Sequence, residues 1–366
     1  MNSSRALQGR YLLGLGVSVL FLWLALRKVD FRELWQVIAD AEFGLLLLVM
    51  LLTFAMLFLR GLRWYFFLKP IRSLPVIGLG WSVAIGFAVN NIIGARLGEV
   101  ARSLSVSRKY GLPAATVLGT VVVERVWDAV SLLALVAIGL FLWDFSRPLE
   151  QLTVAVDQGL GVQLDPSAIL VSTSVVVVVV LAGVAVLRFW GEGIASRLDR
   201  VLAVLPKRWR QTFTGGLRSF SRGLIQTTDP LEVCAVVLLS ASVWVAGSFG
   251  VWLCLKACHV DAGPMDAAFV LFALAVAVAL PSGPGYIGTY HFIAASAIGL
   301  STGAPWSQAT AAAIVLHLSH YLPRTFTGIL ALVREGLALG ELKRAQPVTD
   351  ETGGRNNNSV DPIGSR

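Results

Sequence analysis

Charged side chains are missing from one long stretch of this sequence. Residues 267–323, 57 in all, contain no Asp, Glu, Lys or Arg, and the segment 281–285 (PSGPG) interrupts them. Proline removes a backbone donor and glycine weakens a helix, so a continuous helix through this segment is disfavoured. The apolar pieces on either side, 267–280 and 286–300, would each span about 21 Å, less than the ~30 Å hydrocarbon core.

Backbone groups freed at such a break cannot face lipid and must be buried in protein or line a cavity. The pattern therefore predicts a re-entrant hairpin over 267–300 inside a membrane protein. The alternative interpretation is that the two apolar pieces are short tilted spans.

Charge, cysteine and catalytic motifs are scarce in the rest of the chain as well. Charged residues make up 14% of the sequence, 56% is hydrophobic and the mean hydropathy is +0.73. This composition excludes a soluble domain of the same length and predicts an all-α polytopic membrane protein. Three cysteines offer no disulfide framework. No P-loop, dinucleotide fingerprint or GxSxG elbow is present, so we predict neither a cofactor nor an enzyme.

Six apolar segments have the character of full transmembrane helices. They cover residues 11–26, 43–60, 114–143, 167–187, 231–255 and 307–333. The segment 76–95 is apolar too, but it carries Asn90 and Asn91. If it does not cross and the N-terminus is cytoplasmic, 21 Lys and Arg residues lie in cytoplasmic segments and 5 in external ones. Cytoplasmic loops accumulate these residues, so we predict that both termini are cytoplasmic.

This topology gives the membrane domain, residues 1–344, two re-entrant hairpins of opposite orientation. The hairpin near 76–95 would enter from the cytoplasm and the one near 267–300 from outside, as in transporters built from inverted repeats. The tail 345–366 has little to bury and is predicted to be disordered.

The net charge of +8 is concentrated in loops beside the predicted spans. Anionic lipid headgroups are therefore the expected partners, rather than nucleic acid. The predicted cytoplasmic loop 188–230 mixes Trp190 and Trp209 with eight Lys and Arg residues. It could form interfacial helices on anionic lipid, or it could be a solvated loop whose charge only sets topology.

Three charged residues, Glu124, Arg125 and Asp128, lie well inside the predicted span 114–143. A charge at mid-membrane costs about 2.5–3.5 kcal/mol, so partners are required. A second charged group (Arg96, Glu99 and Arg102) follows the cytoplasmic hairpin.

We expect Glu124 or Asp128 to pair with Arg96 or Arg102, and Glu99 to pair with Arg125. The cluster would either brace the bundle or leave one arginine able to bind an anionic group such as phosphate.

Polar residues also lie in the last predicted span and just after the proline-glycine segment. His317, His320 and Arg324 follow the i, i+3, i+7 spacing, and His291 stands shortly after the break. Zinc is one interpretation, but no carboxylate accompanies the histidines at ligand spacing and we predict no metal site. Protonatable groups lining a polar cavity and interhelical hydrogen bonds remain the two alternatives.

Three sequence motifs together resemble the lysylphosphatidylglycerol synthase transmembrane-region family, which includes the flippase-like half of the multiple peptide resistance factor and its stand-alone relatives. The motifs are RLGEVAR at 96–102, VERVWD at 123–128 and LPSGPGYIGTY at 280–290. The resemblance covers about residues 10–340. It implies a prokaryotic inner-membrane protein with re-entrant helices that handles phospholipid or polyisoprenoid-linked headgroups.

Two departures from the family pattern narrow this expectation. The soluble aminoacyl-transferase half is missing, so this chain cannot transfer lysine to lipid. The resemblance also implies an acid shortly after the proline-glycine tip, where this sequence has His291. An anionic headgroup therefore suits the chain better than a cationic one.

The leading hypothesis is a translocase that binds a lipid headgroup near the hairpin tips. The alternatives are a membrane partner protein that binds lipid without moving it, and a transferase that uses a lipid-phosphate donor with Glu124 or Asp128 as base or metal ligand. The oligomeric state is not indicated. The candidate substrate-binding residues are Arg96, Glu99, Arg102, Glu124, Arg125, Asp128, Pro281, Ser282, Gly283, Pro284, Gly285, Tyr286, Gly288, His291, His317, His320 and Arg324.

Overall fold

The structure, a computed structural model, describes residues 2–93, 97–143, 166–202, 214, 215, 217, 218, 229–279 and 282–336. Within these residues the chain is helical and contains no strand. The α-helices are α1 (Asn2–Leu26), α2 (Phe31–Ala39), α3 (Phe43–Leu68), α4 (Val76–Ile92), α5 (Gly98–Tyr110), α6 (Ala114–Trp143), α7 (Pro166–Val201), α8 (Pro230–Ala257), α9 (Pro264–Ala279), α10 (Thr289–Thr302) and α11 (Trp306–Arg334). A single 3-10 turn, Pro284–Tyr286, lies between α9 and α10.

Each of the six predicted spans lies within a helix: α1, α3, α6, α7, α8 and α11. In the part of the chain that is described, α3 and α8 are long and apolar enough to cross a membrane, and α1, α4 and α9 contain shorter apolar stretches. Only 28% of the apolar windows of α3 and α8 is buried by the rest of the protein. Helices of a soluble core would be covered far more completely, so these two helices suit a lipid environment.

The helix α4 lies at the centre of the bundle, packed against α3, α5 and α11. Glycine permits two of these close approaches. A Cβ added at Gly61 of α3 would lie 2.6 Å from the backbone nitrogen of Gly80, and one at Gly328 of α11 would lie 2.3 Å from the carbonyl oxygen of Ala84. Small residues of this kind let helix backbones approach closely in membrane proteins.

The two predicted hairpin regions contain short helices. In the region 76–95, residues 76–92 form α4, which has 17 residues and packs against α5. The region 267–300 contains α9 and α10, of 16 and 14 residues, which pack against each other. At 1.5 Å per residue, each of these helices is about 21–26 Å long, shorter than the hydrocarbon core. The break predicted at 281–285 falls between α9 and α10.

Some predicted boundaries were wrong. The span predicted to end at residue 60 continues to Leu68, so α3 includes Arg60 and Arg63, which were assigned to a cytoplasmic loop. Likewise, α7 extends through residues 188–201 of the predicted basic loop 188–230. The rest of that loop is mostly outside the described residues, and so is the tail 345–366. Helix α2 was not predicted. It begins after Asp30, whose carboxylate accepts the backbone N–H groups of Arg32 and Glu33.

Ion pairs join the helix ends on the side of the α3–α4 loop. Lys69, at the end of α3, contacts Glu232 in the first turn of α8, and this hydrogen bond raises the pKa of the Lys69 amino group. Lys109 of α5 lies 2.8 Å from Glu335, just after α11. These pairs hold the ends of four helices together at one surface.

Candidate functional site

A buried network of ionised side chains joins α3, α5 and α6. Arg63 and Glu124 have no solvent exposure, and Arg63 Nη2 lies 2.9 Å from Glu124 Oε1. The other terminal nitrogen of Arg63, Nη1, lies 2.7 Å from Asp128 Oδ1 and 3.3 Å from Ser240 Oγ of α8. One guanidinium therefore binds both carboxylates of the helix α6.

Two further arginines complete the coordination of these carboxylates. Arg102 Nη1 of α5 lies 2.8 Å from Glu124 Oε2, which is one of the predicted pairings. Arg125 lies on the open side of the network, 3.1 Å from Glu124 and 3.2 Å from Asp128, with 45% of its side chain exposed. The predicted pairing of Arg125 with Glu99 was therefore wrong, because the two acids on its own helix are nearer. Arg96 lies outside the described residues.

Sequence reasoning missed the central member of the network, Arg63. Because the apolar run of α3 weakens near residue 60, the arginines that follow were counted as loop residues. The available signal was the spacing of Arg60 and Arg63, which places both on one helical face, combined with two carboxylates in α6 that required partners.

A second group of cations lies around the ring of Phe87 in α4. The guanidinium carbon of Arg60 is 5.8 Å from the ring centroid, and that of Arg324, from α11, is 5.0 Å from it. Both distances are in the range of cation–π contacts. Arg60 also approaches Asp128 Oδ2 at 3.9 Å and so connects this group to the buried network.

The segment that follows the break is fixed to α1. The backbone N–H of Gly283 donates to Ser18 Oγ at 2.8 Å. Gly288 has a φ of +91°, and a Cβ at this position would lie 2.0 Å from the carbonyl oxygen of Ser18. Both the left-handed conformation and the close approach therefore require glycine at 288.

The tips of the two predicted hairpin regions contact each other. Asn91, at the end of α4, donates to Thr325 Oγ1 of α11 at 2.8 Å, and its carbonyl oxygen accepts from the Tyr321 hydroxyl at 3.4 Å. Gly285, with a φ of +67°, packs against the same tyrosine ring and the same carbonyl. The side chain of Tyr321 therefore fills the junction between the end of α4 and the 3-10 turn.

Two histidines hold this turn through a chain of hydrogen bonds. The backbone N–H of Gly288 donates to His291 Nδ1 at 3.3 Å, so a neutral His291 carries its proton on Nε2. His291 Nε2 lies 3.1 Å from His317 Nδ1. Tyr290 stacks on His317 at 4.5 Å. Of the alternatives for these residues, interhelical hydrogen bonding describes this pair.

The remaining predicted residues are dispersed around this turn. His320 is buried and bonds the Leu316 carbonyl of its own helix at 2.9 Å. The hydroxyl of Ser282 is buried and lacks a hydrogen-bond partner in the described part of the protein. Pro284 and Tyr286 form the ends of the 3-10 turn, and Pro281 lies outside the described residues.

The zinc interpretation gains no support here. No group of three or more histidine, cysteine or acidic side chains is arranged for metal binding within the described residues.

Comparison with known proteins places this arrangement in context. A sequence model of the family described as "Lysylphosphatidylglycerol synthase TM region" matches residues 11–328. A curated relative, described as "Glycosyltransferase AglD" from Haloferax volcanii, is 26% identical over an alignment of 334 residues that covers 86% of this chain and 52% of the relative. The chain thus spans about half the length of that relative. No solved structure matches this chain.

Proposed function

The chain belongs to the lysylphosphatidylglycerol synthase transmembrane-region family, and from this premise we propose that it is a lipid translocase (flippase) of a prokaryotic cytoplasmic membrane. The substrate is a phospholipid or a polyisoprenoid-linked lipid. Its headgroup passes through the interior of the bundle, next to the buried charges, while its acyl or prenyl chains stay in the bilayer. The membrane-embedded character of the family and the sparsely covered apolar helices support this proposal.

The observation that carries the proposal is an excess of positive charge in the buried network and around Phe87. Among the described residues of these two groups, with Glu99 beside them, arginines outnumber carboxylates: Arg60, Arg63, Arg102, Arg125 and Arg324 accompany Glu99, Glu124 and Asp128. A network that only braced helices would be expected to balance its charges, because an uncompensated buried charge is strongly destabilising. Spare guanidinium groups match the phosphate of a lipid headgroup.

The helix arrangement supports the same function. Under the predicted topology, the contacting ends of the two hairpins approach from opposite leaflets, as in transporters that bind substrate near the bilayer midplane. A headgroup at this junction would be accessible to one leaflet or the other after a small movement of either hairpin. The six long helices would form the surrounding bundle, with both termini in the cytoplasm.

The non-transporting alternative is a protein that binds lipid or a membrane partner without moving anything. It requires an interior in which polar groups are fully paired. Arg324 has neither a hydrogen bond nor an ion pair within the described residues, although its guanidinium lies over Phe87. This unmatched cation favours a protein that binds and releases an anion.

A transferase is the second candidate, favoured by the description of the relative as a glycosyltransferase. About half of that relative has no counterpart here, so the activity in its name could belong to the unmatched half. A base at Glu124 is disfavoured, because this carboxylate has no solvent exposure and contacts three arginines. A shared lipid-linked sugar substrate would reconcile the two descriptions.

A vesicle assay tests the proposal. Purified protein is reconstituted with a fluorescent anionic phospholipid, and the rate at which the label reaches the opposite leaflet is followed by dithionite quenching. We expect the wild-type protein to accelerate translocation, and Arg125→Ala to reduce the rate at least tenfold while remaining monodisperse. Arg334→Ala, an exposed arginine of α11, is the matched control. A wild-type rate equal to that of empty vesicles, with every lipid tried, would reject the translocase.

A further inference from the structure

The aromatic ring of Phe87 is flanked by two guanidinium groups from different helices. Arg60 comes from α3 and Arg324 from α11, and their guanidinium carbons lie 5.8 and 5.0 Å from the ring centroid. The two groups are therefore no farther apart than the sum of these distances. Like charges repel at such a separation unless an anion lies between or beside them.

Both guanidinium groups keep most of their hydrogen-bonding capacity unused. Arg60 approaches Asp128 Oδ2 only at 3.9 Å, beyond hydrogen-bond distance, and Arg324 has no polar partner in the part of the protein described. A guanidinium has five N–H donors. By contrast, Arg63 binds both carboxylates of α6 at 2.9 and 2.7 Å.

The three side chains are not fully enclosed by the protein. In α4, the residues 82–86, 88 and 89 are all buried, whereas Phe87 is only partly buried. The side chain of Arg60 is 18% exposed, and Arg324 is partly buried as well. Because all three side chains keep some exposure, a ligand can reach the two cations beside the ring.

We propose that Arg60 and Arg324 form a two-armed subsite for the phosphate or diphosphate of a lipid, with Phe87 as the platform that positions both guanidinium groups. This proposal rests on the proposed translocase function and names the chemical group that its site recognises. Stacking on the ring restricts both side chains before the ligand arrives, which lowers the entropy lost on binding. The phenol of Tyr290 lies within electrostatic reach of Arg324.

The subsite differs from the buried network in what it can do. Arg63 and Arg102 are held by carboxylates and would have to break ion pairs to bind a phosphate. Arg60 and Arg324 can donate several hydrogen bonds at no such cost. Because Arg60 also approaches Asp128, an anion bound here would be sensed by the network through one side chain.

Ligand binding to the purified full-length chain tests the assignment. The probes are dihexanoylphosphatidic acid, which is a lipid phosphate monoester, the zwitterionic dihexanoylphosphatidylcholine, and inorganic pyrophosphate. Titration calorimetry in detergent compares the wild type with Arg60→Gln, Arg324→Gln and the control Arg334→Gln. Arg334 suits this purpose because it also lies over an aromatic ring, that of Trp81 at 5.3 Å, but is exposed.

We expect the wild type to bind phosphatidic acid far more tightly than phosphatidylcholine. Each of Arg60→Gln and Arg324→Gln should weaken binding about 10- to 100-fold, the effect of losing charge-assisted hydrogen bonds. Arg324→Lys keeps the charge but not the planar guanidinium, so we expect an intermediate loss of affinity. Residual binding by this variant would show that the fold tolerates a substitution at residue 324. Arg334→Gln should bind within about twofold of the wild type.

Three results would overturn the subsite. One is wild-type affinity in both glutamine variants. A second is an equal loss in the control. The third is pyrophosphate binding as tightly as phosphatidic acid, which would assign the site to free phosphate rather than lipid. The vesicle assay separates the two proposals. A protein that binds phosphatidic acid through these arginines but does not move lipid would support the subsite and reject the translocase.

Discussion

Arg63 and Glu124, both without solvent exposure, form an ion pair of 2.9 Å that connects α3 to α6. The same guanidinium also reaches Asp128, so one residue of α3 holds two acids that lie one helical turn apart on α6. Removing one partner of so deeply buried an ion pair strongly destabilises a folded protein, because the remaining partner stays charged and desolvated. The stability of the bundle therefore depends on this contact more than on the charges at its surface.

Glu124→Gln removes the carboxylate shared by three arginines. We expect it to lower the free energy of unfolding by about 3–5 kcal/mol, seen as a clear fall in the thermal midpoint of the purified protein in detergent. Glu192→Gln is the control, since the side chain of Glu192 is 69% exposed and pairs with Arg218 at the surface. Equal midpoints for the two variants would show that the network does not stabilise the fold.

Gly288→Ala and Gly111→Ala separate backbone strain from steric clash. Both glycines have positive φ, +91° and +68°, but a Cβ meets nothing within 4 Å at Gly111, whereas at Gly288 it would lie 2.0 Å from the Ser18 carbonyl. Gly111→Ala should cost about 1–2 kcal/mol. Gly288→Ala should shift the thermal midpoint considerably further and loosen the contact with α1. A similar shift for both would contradict the close packing of α1 on this segment.

His291→Ala removes the acceptor of the Gly288 backbone N–H and the partner of His317. We expect faster amide hydrogen exchange at 285–288, because a buried donor left unpaired costs about 1–3 kcal/mol. The control is His259→Ala, at an exposed histidine whose side chain lies beside the Asp40 carbonyl and Glu42. Unchanged exchange at 285–288 would mean that the histidines do not hold the turn.

Cysteine labelling tests the orientation of the two hairpins. Ser73, before α4, and Asp261, before α9, are both exposed and can be changed to cysteine in a background lacking Cys234, Cys254 and Cys258. A membrane-impermeant maleimide added to intact cells should label Asp261→Cys only, and Ser73→Cys should react only after permeabilisation. Labelling of both from the same side would exclude hairpins that enter from opposite faces.

The break in the charge-free stretch could be predicted from sequence because it depends on local chemistry. Proline and glycine within 281–285 disfavour a helix wherever the segment lies, and α9 and α10 end on either side of it. The pairing of Arg102 with Glu124 was also predictable, since a buried acid needs a cation and the nearest basic motif was close in sequence.

The rest of the site depends on tertiary contacts that no local sequence pattern predicts. Arg60 and Arg63 follow an apolar run and look like the start of a loop until the acids of α6 are placed opposite them. Ser18 lies in an ordinary apolar helix, and its bond to Gly283 is a consequence of how α1 packs. The contact of Phe87 with two arginines likewise depends on how α3, α4 and α11 pack together.

Ser18 and Gly283 are separated by 265 positions in the chain. During synthesis, α1 leaves the ribosome long before residue 283. The Ser18 hydroxyl therefore cannot accept the Gly283 N–H until the helices between them have been made. The turn can reach its final shape only near the end of biogenesis. A chain released before residue 283 would therefore carry its charged network but lack the hydrogen bond that fixes the turn to α1.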